Sequence, residues 1–191
     1  TVVSNIDNNN YYNLSSSTNL LNIGNVDITS TNFRTAGGGS GSINVNPFFV
    51  SATNLHTTMA CNNGASLGVT SDFDGEARNS TPDIGADEVV SVPNNDIGVM
   101  KINSPLIPFA SGTQTINVTL RNYGGNTITS ANVNYRANGA SAVTQAWTGS
   151  LAPCDTANFS FTTTYSFPVG SNNLIVYTSS PNGVTDANAN N

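Results

Sequence analysis

The sequence predicts an all-β protein. No stretch keeps apolar residues at helical spacing over three turns. Apolar and polar residues instead alternate in short runs rich in Thr, Val, Ile and aromatics, the residues that suit a pleated, half-buried strand. Asn, Gly and Pro stand between those runs and favour turns. A hydrophobic fraction of 37% argues against disorder.

Composition narrows the function classes. Charged residues make up 8% of the 191 residues, against roughly 25% in ordinary domains. Asn, Ser and Thr together supply about 40%, so amides and hydroxyls, not ions, solvate the surface. The net charge is −6, and the five basic residues (Arg34, Arg78, Lys101, Arg121, Arg136) do not cluster. No phosphate-tracking patch can form, which excludes nucleic acid as a partner. No apolar run is long enough to span a bilayer. No signal peptide is legible, and Thr1 falls in mid-pattern, so the expectation is a piece of a longer, exported precursor. Cys61 and Cys154 allow one disulfide or two buried thiols, and their spacing leaves both open.

Two domains are expected, 1–92 and 93–191, with the boundary in "VVSVPNNDIG" (89–98), where Pro93 and Asn94-Asn95 break one strand before a new alternation starts. The first domain consists of short apolar beats: "TVVSNI" (1–6), "LLNIGNVDI" (20–28), "INVNPFFV" (43–50), "NLHTTM" (54–59) and "LGV" (67–69). Asn-rich and Gly-rich joints separate them, such as "DNNN" (7–10) and "TAGGGSGS" (35–42). Such beats suit a coil-by-coil stack, in which Asn amides bond to amides one rung away.

The second domain reads as a β-sandwich. Its strands are expected at 96–102, 115–122, 132–137, 142–147, 158–163 and 173–178. Inward positions would be Ile116, Val118 and Leu120, then Val133 and Tyr135, Val143 and Trp147, and Phe159 and Phe161. In the last strand either Leu174 and Val176 or Ile175 and Tyr177 face inward. Turn signals at Gly124-Gly125, Asn138-Gly139, Pro153, 168–170 and Asn182-Gly183 divide them, as in an immunoglobulin-like or fibronectin-like fold.

Two resemblances follow from these residues. The segment "INVNPFFVSATNLHTTMACNNGASLGVTSDFDGEARNSTPDIGADEV" (43–89) resembles the closing coils of right-handed parallel β-helix proteins secreted by Bacteroidota. The likeness rests on Pro47-Phe48-Phe49, on Asn54-Leu55-His56, on Met59–Gly64 and above all on Asp72–Glu88. The stretch "TTMACNNGA" departs from the pattern, lacking its usual Ser-Pro. Residues 95–191 resemble CARDB-like adhesion modules, through "DIGVMKI", "INVTLRNYGGNTITSANVNY", "WTGSLAPCDTANFSF" and "SSPNGVTDANANN". Together the resemblances imply the end of a parallel β-helix plus an Ig-like sandwich, in a large surface protein exported by the type IX route. They also imply an extracellular, cell-surface location and passage through the secretion machinery.

The acidic stretch "DFDGEARNSTPDIGADE" (72–88) holds six of the eleven carboxylates: Asp72, Asp74, Glu76, Asp83, Asp87 and Glu88. A glycosidase would need two carboxylates facing one glycosidic oxygen, and the resemblance puts this stretch at the end of the helix, away from catalytic clefts. Calcium would suit the alternating oxygens of Asp72, Asp74 and Glu76 around a Gly turn, although EF-hand spacing is not met. The stretch favours a third reading, a cap over the open end of the stack. Its Asp side chains would accept orphan N–H groups, Arg78 would pair with Asp83 or Asp87, and Ile84 would plug the core end.

Other residues carry narrower expectations. Asp155-Thr156-Ala157 resembles an O-glycosylation pattern of exported Bacteroidota proteins, which marks Thr156; an Asx-turn is the alternative. Tyr11, Tyr12, Phe48 and Phe49 could stack on sugar rings, with one of each adjacent pair turned into the core. The functional expectation is a non-catalytic segment without cofactor, acting in adhesion, surface attachment or gliding, with surface polysaccharide or another extracellular surface as partner. The alternatives are the rear of a β-helix polysaccharide lyase or hydrolase, with its active site before Thr1, and a carbohydrate-binding module with an exposed aromatic platform.

Overall fold

The computed structural model describes residues 7, 9–12, 19–23, 26–29, 39, 41–58, 61–89, 91–106, 108–109 and 111–189. The beat expected at 1–6 lies outside them. The chain is all-β and forms two compact units, Thr1–Val92 and Pro93–Asn191.

In the first unit, β1 (Asn19–Ile23) pairs antiparallel with β2 (Val26–Thr29), and β3 (Phe49–Ser51) with β4 (Asn54–Thr57). One parallel bridge joins Asn10 to Ile43. The ladders of the described residues are therefore short hairpins and not a stack of parallel strands. Asn side chains do extend the pairing. Asn10 donates to the Val45 carbonyl at 2.8 Å, accepts from the Val45 N–H at 3.1 Å and donates to the Asn62 side chain at 3.3 Å. One amide here replaces a missing strand neighbour and reaches a second amide beyond it, so the Asn content has a structural use. The buried residues described in this unit include Ser42, Asn62, Asp83, Asp87 and Glu88, all polar, whereas Phe49, Leu55, Leu67, Val69 and Phe73 are exposed.

The second unit contains β5 (Ile97–Ser104), β6 (Gly112–Asn122), β7 (Ile128–Ala137), β8 (Val143–Leu151), β9 (Thr156–Phe167) and β10 (Leu174–Ser179). One sheet has the order β5-β6-β9 and the other β10-β7-β8, all neighbours antiparallel. Alternation along each strand sends one face inward. Ile97, Ile116, Val118, Leu120, Ile128 and Val133 have no exposed surface, each burial contributing about 1.5–3 kcal/mol. Tyr135, Phe159 and Phe161 complete this core edge-to-face, with centroids 4.8 and 5.1 Å apart. Leu174 and Val176 pack against the core while Ile175 is exposed, which settles the phase of the last strand. Trp147 also packs against the core, and leaves room only for a glycine at 149, where a Cβ would lie 2.7 Å from its ring.

A polar plug closes one end of the sandwich. Fully buried Asn122 donates to the carbonyls of Asn126 and Leu151 at 2.8 and 2.9 Å and accepts from the Gly124 N–H at 2.9 Å. At Gly124 a Cβ would sit 2.7 Å from the Asn94 carbonyl oxygen, so the turn requires glycine. Cys61 and Cys154 are both disulfide-bonded, which replaces the alternative of two buried thiols.

Candidate functional site

The acidic stretch folds as two tight turns held by carboxylates. Asp72 Oδ1 accepts the N–H groups of Asp74 and Glu76, both at 2.9 Å, and Oδ2 accepts that of Glu88 at 3.1 Å. Gly75, at φ +89, makes the turn that brings those amides together. Partial burial of Asp72 opposes ionisation, but the amides of Glu76, Glu88, Asp74 and Gly75 outweigh it and hold the carboxyl below its usual value. Glu88 accepts the N–H of Asp83 at 2.9 Å and of Asn79 at 3.2 Å. Asp83 accepts that of Val89 at 3.0 Å, and Asp87 that of Thr57 at 2.6 Å.

Next to these turns, residues 62–64 zip antiparallel onto 82–84 through Gly64 N–H to Pro82 O and Ile84 N–H to Asn62 O, each 2.7 Å. A Cβ at Gly64 would meet Ile84 at 2.6 Å, so Ile84 seats directly on that glycine. Burial pushes the Asp83 carboxyl above its ordinary value, and Glu88 adds to the rise. The amides of Val89 and Asn62, and Arg78, pull the other way.

Arg78 does not pair with the carboxylates of Asp83 or Asp87. Its guanidinium forks onto the carbonyls of Asp83 and Gly85 at 2.7 and 2.6 Å and reaches the Glu88 carboxylate at 3.4 Å. Both side chains of that ion pair are buried, at 8% and 1% exposure. Glu88 lies outside the pairing expected from the sequence, whose only signal for it was its place closing "PDIGADE".

The three residues considered for calcium do not converge as one set. Asp72 and Glu76 come together with Asp87, and Asp74 instead joins His56 and Asp87. Within each triad the candidate ligand atoms lie within 4.8 Å of one another. The all-oxygen triad has the donors of a hard cation, and the His-containing one those of a transition metal. His56 Nε2 lies 2.6 Å from Asp74 Oδ2, its Nδ1 is in contact with Asn54 Oδ1, and its ring meets Phe73 at 5.1 Å.

A groove of about 1050 Å³ opens in the same unit. It is lined by residues 9–12 and 46–49, by Ser51, Ala52, Leu55 and Thr57, and by residues 84–87. All four aromatics considered for sugar stacking line it. Tyr12 and Phe49 are 40% and 48% exposed, and Tyr11 and Phe48 are half-buried rather than core. Tyr11, Tyr12 and Phe48 lie outside the strands and Phe48 has φ +49, so strand alternation does not set this division.

In the second unit Thr156 is exposed at the first position of β9. Two buried carboxylates, Asp96 and Asp186, lie near each other; burial pushes Asp186 up to about 6, and Asp96 adds to the rise.

Two three-stranded antiparallel sheets packed face to face on an aromatic and aliphatic core define an Ig-like β-sandwich module. The CARDB family model matches residues 94–191, just over half of the chain, and the chain belongs to that family. CARDB is a module often found in cell-surface proteins. No curated protein and no solved structure matches the chain. Among the described residues no helix is long and apolar enough to cross a membrane.

Proposed function

We propose that the chain is a non-catalytic segment of a large extracellular surface protein, serving adhesion and attachment. The CARDB module carries this reading. Its packed sandwich is a spacer that holds neighbouring parts of a chain away from the cell. Oxidised Cys61 and Cys154 fit an oxidising, extracytoplasmic compartment. In this reading the first unit is the end of a β-helix stack, supported by the parallel Asn10–Ile43 bridge and the Asn10–Asn62 amide contact. Its acidic loop is the cap of that stack: Asp72, Asp83, Asp87 and Glu88 all accept backbone N–H groups, a use that competes with catalysis. Export through the type IX route, gliding and a glycan on Thr156 belong to the same reading.

The test is surface labelling of intact cells with a membrane-impermeant amine reagent, together with an attachment assay on a deletion strain. The expected result is a labelled, very large parent chain and weakened attachment. A parent confined inside the cell would overturn the reading, and a short parent able to cleave polysaccharide would replace it with a β-helix lyase or hydrolase.

A further inference from the structure

We infer that the groove of the first unit binds a neutral polysaccharide chain. The inference rests on the proposed extracellular role and adds the site and the ligand class. The groove's volume of about 1050 Å³ is at the upper end of, or beyond, the roughly 300–1,000 Å³ of small-molecule sites, which suits several consecutive sugar units.

The lining matches both sides of a pyranose ring. Its axial C–H face is apolar and packs flat on an aromatic ring, and Tyr12 and Phe49 offer rings that are 40% and 48% exposed. Its rim carries hydroxyls that both donate and accept. Asn46 uses Oδ1 for the Phe48 N–H at 2.9 Å and Asn9 uses Nδ2 for the Asp7 carbonyl at 3.1 Å. Among the described residues this leaves Asn46 Nδ2 and Asn9 Oδ1 uncommitted, a donor and an acceptor for a sugar rim. Asn10, by contrast, is consumed by Val45.

Charge selects the class. Asp87 is the charged residue in the lining, and no Lys or Arg lines the groove among the described residues. An anionic glycan would therefore meet a carboxylate with no cation to offset it, in a chain of net charge −6. A neutral chain meets no such repulsion.

The experiment is native affinity electrophoresis of the full chain in gels containing hydroxyethylcellulose, xylan, galactomannan or polygalacturonate. At least one neutral polymer should retard the protein. Tyr12→Ala and Phe49→Ala should each weaken that retardation about tenfold. Both rings are substantially exposed, so circular dichroism should confirm that the variants fold. Phe73→Ala removes an exposed ring outside the groove and should leave retardation intact. The inference falls if no neutral polymer retards the protein, if polygalacturonate retards it as strongly, or if the groove variants behave as wild type. It also falls if Phe73→Ala weakens retardation equally, which would mean general stickiness. A chain displayed on cells but retarded by no neutral polymer would overturn the groove assignment alone and leave the surface role standing.

Discussion

Arg78 shows how a single side chain can hold a segment that has little apolar material of its own. It joins two carbonyls and the carboxylate of Glu88, a group with 1% exposure. Removing it would leave a buried acid without its counter-charge and two carbonyls without this donor. Arg78→Ala should therefore cost about 2–4 kcal/mol, read as a shift of the urea midpoint of the full chain. Arg78→Lys should recover only part of the loss, because an ammonium cannot fork onto two carbonyls. Equal stability of all three proteins would show that the cluster is decorative. Asp186 makes a prediction of opposite chemical sense. Its folded value of about 6 lies above the ordinary 3.8, so the folded form holds the proton more tightly. Its stabilising contribution is fully present below 3.8 and is lost as pH rises through about 6. Melting temperature should fall across that window, by the equivalent of about 1–2 kcal/mol after screening by solvent. Asp186→Asn should flatten the fall, and an unchanged slope in that variant would remove Asp186 as its source.

At the scale of the element, the acidic loop and the sandwich strands differ in what organises them. The loop is built on carboxylate-to-amide bonds, with both oxygens of Asp72 already accepting N–H groups. Calcium would have to compete with those bonds, so the melting curve should coincide in excess calcium and in excess chelator. A rise of several degrees in calcium would reassign Asp72, Glu76 and Asp87 to an ion. The strands of the second unit were legible in the sequence because alternation and burial agree. Ile116, Val118 and Leu120 alternate in "TINVTLRN", and all three are fully buried. In the first unit that agreement fails. Asn occurs at so many positions that it no longer marks a turn, and the β1–β2 hairpin is hidden within "LLNIGNVDI". That the Asp side chains of the acidic loop accept backbone N–H groups was legible, but the partners were not. Nothing in the spacing tells Glu88 from Asp83 or Asp87 as the acid beside Arg78, because the turns at Gly75 and Gly85 choose it. His56 joined Asp74 for the same reason, across 18 residues that no local pattern connects.

At the scale of the whole molecule the described residues of the two units differ in what they bury. The buried hydrophobic residues among those described, from Ile97 to Phe167, all belong to the second unit. Their burial suffices for a domain of about 100 residues to unfold cooperatively, since apolar area removed from water is the main term opposing chain entropy. Hydrogen bonds among Asn10, Val45, Asn62 and the acidic loop contribute less on balance, roughly 1 kcal/mol each. Residues 93–191 expressed alone should therefore show a single sharp thermal transition. Residues 1–92 alone should show a broad one, with their exposed Leu67, Val69 and Phe73, outside the groove, binding a hydrophobic dye before heating begins. The decisive measurement is calorimetry of the two fragments side by side. A sharp transition in residues 1–92 would refute the reading of that unit as the end of a stack that needs its preceding coils.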